Sequence, residues 1–320
     1  MVFIHFIGID VSKNWFDVAI AGSPGKPRRF DNTARGISQL LVDLENCRAT
    51  SFVVLEATGG YEIELLAALI GAGIATHRAA PWQSRSFARS LGKQAKTDGL
   101  DAKALARLAA ERHTSLRPFA LASEDQSKLN ELMMRRADLL AFQVAEKNRD
   151  AHPRYTRSTQ AVRTSLAESL DFLAAQLQHI EAEIDALIAA SETLQQRINI
   201  MTSQIGVGSK TARILQAFLP ELGQLTRRAA ASLAGCAPHA RDTGLATKHR
   251  SVFGGRSAVK RVLFTAALSA RNHDPFMRAF FERLLANGKP KMVAIVALMR
   301  KIIVQLNAKL RPQLIYNHGR

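Results

Sequence analysis

The feature that most limits what this chain can become is an apolar seam through its middle third. Leu166, Leu170, Leu173, Leu177, Ile180, Ile184, Leu187, Leu194 and Ile198 follow one another in steps of four and three, and the one gap is Ser191. A seam sustained over 33 residues puts every member on one side of a helix and specifies a coiled coil or helical bundle. Such a seam does not name its partner, which is either a second copy or another helix of the same chain. The expectation is self-association. The stretch "DAHPRYTRSTQ" (150–160), with a proline and several turn formers, separates this helix from an earlier one over 124–150.

The first 110 residues have a different grammar. "VFIHFIGID", "WFDVAIAG" and "PRRFDN" have the composition of three short strands, with glycine and proline at the turn between the last two. A helix in "GISQLLVDLENC", a buried strand in "SFVVLEAT", a helix in "YEIELLAALIGAG" and a strand in "IATHRAA" follow. The helix headed by "KTDGLDAKAL" closes the series. The order βββαβαβα predicts an α/β domain over 1–115, ahead of a helical coiled-coil segment (120–200) and a mainly helical domain (201–320).

Charge separates these parts. Of the net charge of +17, residues 201–320 supply 20 Lys and Arg against 4 Asp and Glu, while residues 1–200 hold 24 against 23. Cations concentrated in one segment point to a polyanionic partner, because each neutralised phosphate releases counterions. An anionic membrane fits less well, since no compact Lys/Arg block adjoins an amphipathic anchor. Cys47 and Cys236 stand alone in distant segments, so neither a disulfide framework nor a zinc site is encoded. The N-terminus lacks the basic region of a signal peptide, and no apolar run reaches the roughly 18 residues of a membrane span. The expectation is a protein of a reducing compartment.

Four carboxylates stand where chemistry would need them. Asp10 ends the first strand and Glu56 ends "SFVVLE". Ends of neighbouring strands in α/β sheets are where functional groups converge. Asp98 and Asp101, one turn apart on one helix face, join them if that helix packs over the strands. Carboxylates gathered in this way repel one another and require cations. Oxygen donors select Mg²⁺ or Mn²⁺, and two such ions about 4 Å apart clamp phosphodiester chemistry. Read separately, the same residues are a strand-end turn and a solvated first helical turn. In the basic domain, "IGVGSKTA" sets Gly206 and Gly208 before a helix bearing Lys210, the form of a helix-hairpin-helix turn that offers backbone N–H groups to a phosphate. Arg241, Lys248, Arg250 and Arg256 lie in a turn-rich stretch beyond it and are candidate phosphate contacts.

The motifs "IGIDVSK" (7–13), "LEATGGYE" (55–62) and "KTDGLDAKALA" (96–106), with "IGVGSKTA" (205–212) and "LAGCAPHARDTG" (233–244), resemble the DEDD transposases of bacterial insertion sequences. That family includes relatives of the Piv DNA invertases and the bridge-RNA-guided recombinases. The resemblance runs nearly end to end and implies an RNase H-like (RuvC-like) N-terminal domain with Asp10, Glu56, Asp98 and Asp101 as its metal-binding acids. It further implies donor and target DNA as partners, a structured guide (bridge) RNA, a homodimer pairing into a tetramer, and a cytoplasmic, nucleoid-associated location. The family's C-terminal nucleophile is a serine in a short "SG" motif. This chain carries Thr243 there, between Asp242 and Gly244. A threonine hydroxyl can attack phosphorus, although its methyl group restricts χ1 and crowds the approach. Three readings stay open: a natural threonine nucleophile, an engineered or inactive form, and use of another hydroxyl such as Ser251. Two alternatives to a recombinase also stand, a junction-resolving nuclease without a covalent step and a catalytically silent nucleic-acid-binding protein.

Overall fold

The computed structural model describes residues 2–91, 98–239 and 251–311, with the side chains of residues 98–100, 156, 239 and 251 outside that description. The chain divides into two compact units, 1–122 and 123–320. The sequence suggests three segments, but the second and third share one unit.

The first unit is built on a five-stranded sheet of β1 (His5–Val11), β2 (Trp15–Ile20), β3 (Arg28–Asp31), β4 (Ser51–Glu56) and β5 (Ala75–Ala79), in the order β3-β2-β1-β4-β5. β1, β2 and β3 pair antiparallel, whereas β4 and β5 run parallel to β1. Side chains alternate between faces, so each strand supplies two layers. Ile7, Ile9, Phe16, Phe30, Val53 and Leu55 meet α1 (Ala34–Asp43) and α2 (Ile63–Gly71) through Ile37, Leu40, Leu65 and Leu69. Phe52 and Val54 face the other way, onto Leu105, Leu108 and Ala109 of α4 (Asp98–Arg112). Between β5 and α4 lies α3 (Pro81–Ser90), which the apolar pattern does not reveal because its sequence, "PWQSRSFARS", has no helical stripe.

α4 lies very close to the sheet. A Cβ placed on Gly8 would come 2.1 Å from the Ala106 N and 2.2 Å from the Ala102 O, so only glycine fits where the helix crosses β1. Ala19 of the neighbouring strand, with Ala21 just beyond its end, packs against Ala102 and Ala106. The contacts also fix the helix direction. Its later residues, Leu108 and Ala109, cluster with Phe3, Phe6 and Phe52 near the strand starts. Its earlier residues Ala102–Ala106 cover Gly8, further along. α4 therefore runs against β1 and β4, and its N-terminus comes to their C-terminal ends.

The second unit begins with α5 (Glu124–Asp150), the short α6 (Pro153–Thr156) and α7 (Gln160–Ala190), an antiparallel helical hairpin. The apolar seam is used here, inside the chain. Leu173 and Leu177 pack with Leu139 of α5, and Ile184 packs with Leu129 and Met133. Arg136 on α5 pairs with Glu181 on α7 at 2.7 Å. Part of the seam is thus taken up by α5 of the same molecule, a partner the spacing could not specify, while Ile198 packs in the core of the later helices. At the gap in the seam the helix itself breaks. α7 ends at Ala190 and α8 (Glu192–Thr202) begins after Ser191, whose hydroxyl donates to Asp125 at 2.5 Å.

α9 (Ser209–Phe218), α10 (Arg227–Leu233), α11 (Ser257–His273), α12 (Pro275–Ala286) and α13 (Lys291–Lys309) complete the unit around Leu215, Val259, Leu263, Leu298 and Ile302. Two short strands, β6 (Pro238–His239) and β7 (Ser251–Val252), pair antiparallel and bracket residues 240–250. Cys236 is buried in this core, and burial pushes its thiol up to about 11 despite the nearby Lys260 and Arg300 charges.

Candidate active site

The register of the sheet brings the first two carboxylates together. Ile9 is paired with Leu55 in parallel, so one step further puts Asp10 beside Glu56. Both are half-buried and belong to the alternation that includes Gly8 and Val54, the face that α4 covers. Because α4 starts at this end of the strands, the backbone of Asp98 and the half-buried Asp101 come to the same edge. The four acidic positions thus converge from two strand ends and one helix N-terminus. Among the described side chains, which do not include that of Asp98, no three His, Cys, Asp or Glu groups form a metal-holding set.

The sheet adds an acid that spacing along the chain does not expose. Asp17 on β2 is the direct cross-strand partner of Asp10, and opposed residues in an antiparallel pair share a face. Asp17 is buried and is gripped by Arg29 on β3, its own cross-strand partner, through Nε at 2.9 Å and Nη2 at 2.8 Å. The Arg29 guanidinium also lies 4.9 Å from the Trp15 ring. The order across this row is Arg29, Asp17, Asp10, Glu56. A fork-on-fork guanidinium neutralises the additional carboxylate and leaves Asp10 and Glu56 at the end of the row nearest β5.

The loop after Glu56 is held just as firmly. Glu62 is fully buried. It accepts the N–H groups of Thr58 and Gly60, each at 3.0 Å, and the Nε of Arg78 at 2.9 Å. Burial pushes its carboxyl up, but its own amide, Arg78 and Thr58 together outweigh that and hold it below the usual range. The turn requires two successive glycines with positive φ, Gly59 at 63° and Gly60 at 104°. The motif "LEATGGYE" is therefore a strand-end carboxylate followed by its own loop clamp.

The cations of the second unit are arranged differently. The first turns of α9, α10, α11, α12 and α13 contain no acidic residue, although the helix dipole favours one there. Lys210, Arg227, Arg228, Lys260, Arg278 and Lys291 stand there instead. Gly208 caps α9 without a side-chain bond and with open space where a Cβ would be, and Lys210 beside it is exposed. Gly206 has a structural role, since a Cβ on it would strike the Ala266 O at 2.6 Å. Arg256 is already engaged within the unit. Its guanidinium is committed to Glu221 at 2.6 and 2.8 Å and to the Phe218 carbonyl at 2.6 Å, so it braces the start of α11. Thr243, Arg241, Lys248 and Arg250 lie outside the described residues.

Comparison with known proteins reaches both units. Residues 7–151 match a family model described as a transposase of DEDD type, and residues 198–282 match the transposase IS116/IS110/IS902 family. A pilin gene-inverting protein of Moraxella bovis is 27% identical over 96% of this chain and 95% of its own length. Its counterpart in Moraxella lacunata is 26% identical over the same shares. An insertion element IS110 protein of Streptomyces coelicolor is 31% identical over 62% of this chain and 50% of its own length. With the carboxylate-bearing unit and the basic helical unit matched in order by two models of one lineage, the chain belongs to the DEDD transposase family of bacterial insertion sequences, a family of DNA recombinases.

Proposed function

We propose that this chain is an insertion-sequence recombinase that cuts and rejoins DNA strands with Asp10, Glu56, Asp98 and Asp101 as its metal-binding acids and Thr243 as its nucleophile. The observation that carries the reading is the convergence of Asp10 and Glu56, neighbours in the sheet, with the N-terminus of α4. The strand order β3-β2-β1-β4-β5, antiparallel on one side and parallel on the other, supports an RNase H-like frame. The donor set fits a hard divalent cation, Mg²⁺ or Mn²⁺, since every group offered is a carboxylate oxygen. When bound, such a cation steadies the attacking and leaving oxygens of phosphodiester exchange. The fixed elements of the protein hold these acids at the edge of a rigid sheet, so that little reorganisation accompanies the reaction.

The exchange itself needs no outside energy. The Thr243 Oγ1 bonds to phosphorus and displaces one strand's hydroxyl, which carries away a proton. A second strand's hydroxyl then displaces the threonine and closes the new phosphodiester. Phosphate contacts from the N-terminus of α9, from Lys210 and from Arg241, Lys248 and Arg250 hold the backbone. In keeping with the family, donor and target DNA are the substrates, and a bridge RNA selects them. A homodimer pairing into a tetramer brings two sites together, in the bacterial cytoplasm at the nucleoid.

Denaturing gels with matched DNA and guide RNA test this reading. Wild type and Thr243→Ser should form a covalent protein–DNA adduct, and Thr243→Ala should form none while still binding nucleic acid. Adduct in the alanine variant would move the nucleophile elsewhere, with Ser251 next. Adduct in the serine variant alone would make this chain an inactive form. Cleavage without adduct in all three would replace the recombinase with a metal-dependent nuclease.

A further inference from the structure

The near-neutral balance of residues 1–200 conceals a local excess. Between Leu65 and Thr97 there is no acidic residue, while Arg78, Arg85, Arg89, Lys93 and Lys96 all fall there. α3 occupies the centre of this stretch, and its two sides differ. Ser84 is buried, and Phe87 packs into the cluster beneath α4. Trp82, Arg85, Ser86, Arg89 and Ser90 are exposed, at the i, i+3, i+4, i+7 and i+8 spacing of one helical stripe. Trp82 is 72% exposed. Tryptophan is the side chain with most to gain from cover, and its large amphipathic ring is enriched at binding interfaces. Neither Arg85 nor Arg89 forms an ion pair among the described residues.

The position of the stripe matters as much as its composition. Ala79, two residues before Pro81 opens α3, is the register partner of Glu56. The first turn of α3 therefore rises from the same sheet edge as the carboxylates. The adjoining loop, clamped by Glu62, presents Tyr61, itself 48% exposed.

We infer that the exposed stripe of α3, Trp82 with Arg85 and Arg89, together with Tyr61, is a binding surface for unpaired DNA entering the carboxylate site. This rests on the reading of that site as the place of strand cleavage. An indole face can stack only on a base released from its duplex partner, and guanidinium groups one helical turn further along take the phosphates that follow. Such a surface selects the melted strand at the point of cutting. The basic second unit supplies general affinity for the backbone.

The chain has two tryptophans, Trp15 and Trp82, so the full-length protein carries its own probe. Titration with a short oligothymidylate should quench tryptophan fluorescence in wild type and leave Trp82→Phe, which retains only Trp15, nearly unquenched. Trp82→Ala should weaken oligothymidylate binding about tenfold or more. Arg85→Gln with Arg89→Gln should lower the salt slope by about 1.4 for the two lost single-strand phosphate contacts. A duplex of equal length should quench little. Quenching in Trp82→Phe equal to wild type, unchanged affinity in both variants, or equal quenching by the duplex would overturn the assignment. Asp101→Asn separates the two readings. Normal cleavage by that variant removes the carboxylate site as the cutting centre, whereas the Trp82 signal judges the stripe independently.

Discussion

The two units solve different problems with differently placed charge. In the first, three elements distant in sequence, β1, β4 and α4, bring carboxylates to one sheet edge, and an error of an ångström there is costly to catalysis. In the second, cations are spread over the first turns of five helices, each position set by its own helix. On the proposed reading, catalytic geometry is thus a property of long-range packing, and backbone affinity a sum of locally placed, replaceable contacts. Losing one carboxylate should be all-or-none, and losing one cation should be incremental.

The widest separation is expected from a matched pair of variants. Asp98→Asn or Asp101→Asn should abolish strand cleavage and leave nucleic-acid affinity within about twofold, because the bulk of the binding charge resides elsewhere. Lys210→Gln with Arg227→Gln and Arg228→Gln should do the opposite, flattening the salt slope by up to about 2.7 on duplex DNA while cleavage persists at saturating protein. Cleavage assays beside anisotropy titrations across salt would show it. Loss of both functions in either variant would erase the distinction between the units.

A smaller effect should reveal whether the hairpin of the second unit is self-sufficient. Ile184, 1% exposed between α5 and α8, should cost about 2–5 kcal/mol when replaced by alanine. Because its neighbours belong to its own chain, the loss in chemical denaturation should not depend on protein concentration. A loss that disappears at high concentration would return the seam to an interface between copies.

The smallest effect concerns the loop clamp. The Glu62 carboxyl is held below its ordinary value, so its ionised form stabilises the folded state at pH values above the unfolded value near 4.5. That stability is lost as pH falls through the lowered folded value. Glu62→Gln should be less stable than wild type at neutral pH, and the two denaturation midpoints should draw together as the solution is acidified below about pH 4.5. A gap that stays constant with pH would assign the clamp to packing instead of charge.

What the sequence discloses follows the same division. Asp10 and Glu56 are legible because a buried apolar run that ends in an acid locates a strand terminus without knowledge of its neighbours. α5 is legible as the helix cut off by the proline and turn formers of 150–160, and the region beyond residue 200 as mainly helical. Asp17 and Arg29 are not, since their proximity to Asp10 is a matter of strand pairing across two turns. α3 escapes because its inner side offers Ser84 and a lone Phe87, so the stripe that would betray a helix is barely apolar. The seam shows its regularity but not its partner, because Leu129, Met133 and Leu139 on α5 are interleaved with charged residues and carry no comparable repeat.

Gly8 sets a limit on how this protein can be altered. With backbone meeting backbone beneath Ala102 and Ala106, the spacing between sheet and helix is at its floor, and every other amino acid at that position acts as a shim. Inserting a single methyl group would tilt or lift α4 and carry Asp101 away from Asp10 without touching either carboxylate. The spacing of the proposed reaction centre is therefore calibrated by the residue with no side chain, two positions upstream of the first acid. A library designed to retarget this enzyme has wide latitude among the surface cations, and none at that point of contact.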